Sequence, residues 1–148
     1  MDKIKQYIFN EANNACVLCG QKGVGNLTEH HINENKKDNR YDNRIILCHN
    51  CHCRFHEKKG ISKTEIINEK RRLIEKTLTV FGVNALKIAE RNNFGVVATP
   101  FLLSHLVDLS FLKKKETISS LAENGIEVDS EVLFEITTDG RRLIKQWF

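Results

Sequence analysis

Cys16 and Cys19, in C-V-L-C, and Cys48 and Cys51, in C-H-N-C, form two pairs with two residues inside each. That interval lets both sulfurs of a pair face one ion. Two such pairs supply the four soft ligands of a structural zinc site, with metal–sulfur bonds of about 2.3 Å. The pairs enclose 28 residues, 20 to 47, more than the roughly 15–20 of a plain zinc ribbon. The extra length carries His30 and His31, and His52 and His56 follow directly after Cys51. Histidines four apart on a predicted helix share one face, so His52 and His56 can offer two nitrogens to one cation. His30 and His31 stand together at the end of a predicted strand, where neighbours point to opposite sides. One of them completes the cation site. The other stands off it as a base, since imidazole is the side chain that exchanges protons near neutrality. Three nitrogens with open positions make a site that catalyses rather than braces.

The elements that must hold these groups follow from pattern. Ile4 and Ile8 at i, i+4 predict a helix over residues 2–12, with Tyr7 beside them. Cys16 to Gly20 reads as a tight knuckle, followed by a loop marked by Gly20, Gly23 and Gly25. Leu27 to Ile32 reads as a strand, Asn33 to Asn43 as an exposed polar loop, and Arg44 to Leu47 as a second strand. Cys51 to about Lys59 reads as a helix stopped by Gly60. Ser62-Lys63-Thr64-Glu65 has the capping-box pattern and opens a helix to about Val80. Its apolar stripe includes Ile66, Leu73 and Leu78; its other face carries Lys63, Lys70, Arg71, Arg72 and Lys76. Phe81-Gly82 breaks the pattern. Val83 to Asn92 is a further helix, Phe94 to Thr99 a turn, and Pro100 the first position of an apolar helix capped by Thr99. His105 inside that helix reads as a packing residue. Phe111–Leu121 and Val132–Thr137 read as a hairpin whose long acidic connection contains Asn124-Gly125, and Asp139–Phe148 as a closing helix.

Composition narrows the setting. The chain has 148 residues, 41% of them apolar, and a net charge of +4, an ordinary globular balance. Residues 1–60 carry 10 Lys+Arg against 7 Asp+Glu, residues 61–80 carry 5 against 3, and residues 81–148 carry 8 against 9. The positive excess therefore lies in the metal-ligating half, which suits a phosphate-rich partner. MDKIKQYIFN has no signal-peptide core, and no apolar run reaches membrane-spanning length. A cytoplasmic protein with no membrane partner is expected, where C-x-x-C suits zinc rather than disulfides. Cys53 is left as a half-buried free thiol. A thioredoxin-like redox role would need a βαβ context, which the pattern lacks.

Taken in order, C-V-L-C, E-H-H-I, D-N-R-I-I-L, C-H-N-C-H and R-F-H resemble the HNH endonucleases, the family with a ββα-metal core. The resemblance covers about residues 12–60. It implies an α+β fold and a metal-dependent endonuclease that hydrolyses DNA phosphodiester bonds in line, leaving 5′-phosphate and 3′-hydroxyl ends. It further implies His31 as general base and Asn43 as the group that holds the loop so that His31 is aimed. His30, His52 and His56 would hold the catalytic divalent ion, one of Mg²⁺, Mn²⁺, Ni²⁺ or Zn²⁺. Cys16, Cys19, Cys48 and Cys51 would hold structural Zn²⁺. Two departures stand out. Arg44 follows the asparagine where the family usually has an apolar residue, and Glu29 precedes the histidine pair. The second leaves open a register with Glu29 as ligand and His30 as base. Arg44, Arg54, Arg71 and Arg72 are the expected DNA contacts.

The second half, residues 81–148, looks like a winged-helix domain, less specifically. Helices are followed by F-L-L-S-H-L-V-D-L-S-F-L, a hairpin and F-E-I-T-T-D-G-R-R-L-I. The expected organisation is thus a nuclease domain over 1–61, a connecting helix over 62–80 and a winged-helix-like domain over 81–148. Acidic residues crowd the wing, so this half is as suited to protein contact or homodimer formation as to DNA. A monomer by light scattering, with and without DNA, would exclude the homodimer. The competing function is a non-catalytic zinc-containing winged-helix regulator that binds DNA. Its weakness is that it gives no use to His30, His31, Asn43, His52 and His56 together.

Overall fold

The structure, a computed structural model, describes residues 2–148. It is an α+β protein that divides into two compact units, one ending at Thr77 and one spanning Leu78–Phe148. No helix among the described residues is long and apolar enough to cross a membrane. Residues 63–77 of the expected connecting helix fall within the first unit.

The first unit opens with α1 (Lys3–Glu11), capped by Asp2, whose carboxylate accepts from the Lys5 amide at 2.6 Å. β1 (Leu27–His31) and β2 (Arg44–Cys48) then pair antiparallel, with His30 opposite Ile45 and His31 opposite Arg44. A short 3-10 turn, Tyr41–Asn43, leads into β2. α2 (His49–His56) follows β2 at once, with the Cys48 sulfur as its cap, accepting from the Cys51 amide at 3.3 Å. The helix thus begins two residues earlier than its sequence pattern suggests, because a cysteine rather than a conventional capping residue starts it. β2 is buried throughout, as a strand covered on both sides must be.

The third helix, α3 (Lys63–Arg91), starts as expected: Ser62 Oγ accepts from the Glu65 amide at 3.1 Å. It is interrupted at Thr79, whose φ of 63° and ψ of 167° are not helical. The break thus falls two residues before Phe81-Gly82, and the Thr79 hydroxyl accepts from the Gly82 amide at 3.4 Å, capping the turns beyond. Lys70, expected on the solvated face, is 0% exposed. Its position explains this. It lies four residues after Ile66 and four before Ile74, both fully buried, so it falls on the buried stripe itself.

The second unit adds β3 (Val96–Ala98), α4 (Pro100–Asp108), β4 (Leu112–Glu123), β5 (Ile126–Ile136) and α5 (Thr138–Trp147) to the end of α3. Its sheet has the order β3-β5-β4, all antiparallel. Leu86, Leu103, Leu106, Val132, Phe134 and Leu143 form its core. Two expectations are corrected here. The Phe94–Thr99 turn contains β3, because Val96 and Ala98 complete the sheet beside Phe134 and Val132. The long acidic connection is mostly strand: Asn124 (φ 52°) and Gly125 (φ 76°) alone make the turn, as a two-residue hairpin requires. Glu127 and Asp129 alternate with Ile126 and Val128 along β5, and both acids meet partners on β4, Ser120 at 2.7 Å and Lys114 at 2.6 Å. A single helix, α4, stands between β3 and β4. His105 on it is a satisfied packing residue, bonded to the Leu78 carbonyl at 3.0 Å.

Candidate metal centres

The four paired cysteines come together at one end of the first unit. Cys16 and Cys19 lie on the knuckle after α1, Cys48 ends β2, and Cys51 is in the first turn of α2. Backbone bonds from Val17 N to Ile46 O (3.1 Å) and from Cys16 N to Gln21 O (2.9 Å) fasten the knuckle to β2 and close it on itself. Gly20 sits at φ 75°, where a side chain would be strained, and its amide meets Cys16 O at 2.8 Å. The four sulfurs lie within 4.8 Å of one another, and Cys19 Sγ is 3.6 Å from Cys48 Sγ. A tetrahedron with ~2.3 Å metal–sulfur bonds has edges of about 3.8 Å, so the set fits zinc. The electrostatics fit as well. Burial works to raise the Cys16 thiol, yet backbone amides around its sulfur, those of Cys48 and Cys19 foremost, prevail and hold it at about 7. Burial and the neighbouring sulfurs raise Cys51. Cys53, expected half-buried, is exposed and stands outside the group.

The second cluster joins β1 to α2. His30, His52 and His56 present ring nitrogens within 4.8 Å of one another. His52 Nε2 and His56 Nε2 are 3.2 Å apart, close to the roughly 3.3 Å edge of a tetrahedron with metal–nitrogen bonds of about 2.0 Å. His30 is 3% exposed, and its Nε2 is buried without a hydrogen-bond partner. A buried polar atom left unpaired costs about 1–3 kcal/mol, which an ion shared with His52 and His56 would offset. Burial, then the neighbouring imidazoles, lowers the His30 pKa to about 4, and the same two causes lower that of His52. Both rings are thus neutral at pH 7, the form that binds a metal.

The strand settles which side of β1 each group faces. His30 points to α2, with its ring 4.8 Å from that of Phe55. Glu29 lies on the other side, where its carboxylate is shared by Arg44 (2.8 Å) and Lys5 (3.0 Å). The geometry therefore gathers His30, not Glu29, with His52 and His56. Arg44, expected among the DNA contacts, is 5% exposed and its guanidinium is taken by Glu29 inside the protein. That pairing also explains how an arginine is accepted where an apolar residue was expected. Of the other expected contacts, Arg54 and Arg71 are exposed, Arg54 with its Nε on Lys59 O (3.2 Å), and Arg72 is held by Glu69 at 2.9 Å.

Comparison with family models, with curated proteins and with solved structures gives no match.

His31 stands at the mouth of the polar loop, its Nε2 3.0 Å from Asn39 Oδ1. Asn43 knits that loop. Its Nδ2 donates to Asn33 Oδ1 and to Asp38 O, both at 2.9 Å, its Oδ1 accepts from Asn33 N at 3.0 Å, and its own carbonyl accepts from Ile32 N at 2.8 Å. Asp38 adds a second knot, gripping the Arg40 guanidinium at 2.5 and 2.7 Å and accepting from Asn33 Nδ2 at 2.8 Å. The Arg40 hydrogen bond is the main cause that lowers the Asp38 pKa to about 2. Asn33, Asp38, Asn39 and Arg40 were not legible as site residues. The available signal was a run of Asn and Asp, which bond to nearby backbone in turns. Beside His56 a cavity of about 570 Å³ opens between α2 and the start of α3, with Lys58 and Lys63 as its cations and Glu34 and Glu65 as its anions.

Proposed function

We propose that the chain is a metal-dependent DNA endonuclease of the HNH type, hydrolysing phosphodiester bonds to 5′-phosphate and 3′-hydroxyl ends. The observation that carries this reading is the set of His30, His52 and His56 nitrogens within 4.8 Å, one of them buried and unpartnered, one residue away from a histidine that lies outside the set. A purely structural zinc module has no need of this second cluster.

In this reading Cys16, Cys19, Cys48 and Cys51 hold zinc and brace the ββα unit. His30, His52 and His56 hold a divalent ion, which when bound supplies Lewis-acid stabilisation of charge on the phosphate. Asn39 Oδ1 accepts from His31 Nε2, so Nδ1 keeps its lone pair and takes the proton of the attacking water. The water oxygen bonds to phosphorus as the bond to the 3′ oxygen breaks. Asn43 holds the loop that aims His31. Lys58 and Lys63, lining the cavity beside His56, receive flanking phosphates of the strand. The second unit, of winged-helix type, docks the enzyme on DNA or pairs two copies.

The test is cleavage of a supercoiled plasmid by zinc-loaded protein freed of exchangeable metal, with Mg²⁺, Mn²⁺, Ni²⁺ or Zn²⁺ then restored. Cutting should return only with added metal, and the nicks should reseal with a DNA ligase that needs 5′-phosphate and 3′-hydroxyl ends. Retained DNA binding without cutting under all four metals would overturn the proposal in favour of the regulator.

A further inference from the structure

The first unit also holds a buried polar cluster that neither candidate metal centre uses. Glu11, the last residue of α1, is buried, and its carboxylate accepts from three groups: the Tyr41 hydroxyl, Lys70 Nζ at 2.5 Å and Thr77 Oγ1 at 3.1 Å. Lys76 Nζ reaches the Glu11 carbonyl at 3.5 Å. Lys70 Nζ also sits 3.9 Å above the centre of the Tyr41 ring. Tyr41 is 1% exposed. The cluster joins α1 and α3 to one short segment, the 3-10 turn Tyr41–Asn43.

A buried ion pair is a poor way to gain stability. Its desolvation commonly cancels its attraction, and well-packed apolar replacements are often neutral or stabilising. What such a pair can supply is a unique geometry, because every partner must be met. Here the geometry fixed is that of the turn whose last residue is Asn43, with Tyr41 two residues before it. Asn43 in turn holds Ile32 N through its carbonyl and Asn33 N through its side chain, and those are the two residues after His31.

We infer that Glu11, Tyr41 and Lys70 are positioning residues: their buried cluster holds the Tyr41–Asn43 turn and thereby sets where Asn43 and His31 stand. This rests on the roles given to His31 and Asn43 under the proposed function. The cluster holds the turn on its buried side, while Asp38, bonded to Arg40 and Asn33, ties the loop that precedes it.

The experiment uses the full chain with Tyr41→Phe, which removes one hydroxyl and keeps the ring. Two readings are taken. One is amide hydrogen exchange at Ile32 and Asn33, which needs no activity. The other is plasmid cleavage, split into kcat and KM. The expected result is faster exchange at both amides and a kcat lower by about 10–100-fold, the usual effect of losing an outer partner of a catalytic group, with KM and bound zinc unchanged. A second variant, Glu11→Leu with Tyr41→Phe and Lys70→Met, refills the space with apolar groups. It should melt no lower than wild type while showing the same loss in kcat, a split that a merely stabilising cluster would not give. Wild-type exchange in either variant, or faster exchange with unchanged kcat, overturns the inference. A wild-type protein that does not cut DNA overturns the nuclease reading instead, and the exchange data still decide whether the cluster holds the turn.

Discussion

For His30, neutrality is the ordinary state. Its ring is closed off by Phe55, His52 and His56, and burial above all brings its pKa down to about 4 from the ordinary 6.5. The sign of the consequence follows from linkage. Between pH 6.5 and 4 the unfolded chain binds a proton at this residue that the folded chain refuses, so folding stability falls as pH falls through that window and is level above it. Zinc-loaded protein without metal at the histidine cluster should therefore lose more of its urea midpoint between pH 7 and 5.5 than His30→Gln does over the same range. Equal losses would show that the buried imidazole titrates normally. The residue scale is also where sequence reading was uneven. The ligand types and their intervals were legible, because metal chemistry demands particular atoms at particular spacings. Lys70 and Glu11 were not, although both fall on apolar stripes, Glu11 three residues after Ile8. A charged residue on a buried stripe signals a partner elsewhere in the chain, and only the fold shows that the partners are each other.

Among the elements, β1 and β2 were legible to within a residue, and α2 as a helix that in fact runs two residues earlier at its start and ends at His56, three residues before Lys59. β2 is rich in β-branched residues, and the interval between His52 and His56 is helical. The loop before β2 read only as polar, since its order comes from Asn33, Asp38 and Asn43 bonding one another rather than from any periodicity. The acidic residues of the β4–β5 hairpin suggest a loop, whereas their alternation with Ile126 and Val128 is that of a strand. The knuckle and α2 have little apolar material of their own: of the residues of α2, Cys51 alone is buried. Zinc is accordingly expected to carry much of their folding free energy. Stripping it with a strong chelator should abolish hydrogen-exchange protection in β1 and β2 and leave the β3-β5-β4 sheet protected, because that sheet has its own core of Val132, Phe134 and Leu143. Unchanged protection in β1 and β2 would mean that the first unit stands without metal.

Across the whole molecule, a unit with two side-chain clusters that could hold metal is followed in the chain, beyond the interruption of α3, by a second unit with its own core. The α+β class was legible. The third strand of the second sheet was not, because Val96–Ala98 is too short to show alternation. The excess of Lys and Arg over Asp and Glu lies in the first unit, which is where the proposed function puts the DNA. The measurement that bears most directly on this division of labour is single-turnover cleavage of a DNA duplex by wild type, His31→Ala and His56→Ala, each with bound zinc counted. One zinc per chain in all three proteins is expected, with His31→Ala slower by about 10²–10⁴-fold, the usual worth of a general base. His56→Ala should also be slow, and it alone should need a higher concentration of Mn²⁺ for half-maximal rate. Cleavage by His31→Ala at the wild-type rate, or loss of zinc from His56→Ala, would contradict the assignment of a bracing cysteine site and a separate catalytic histidine site.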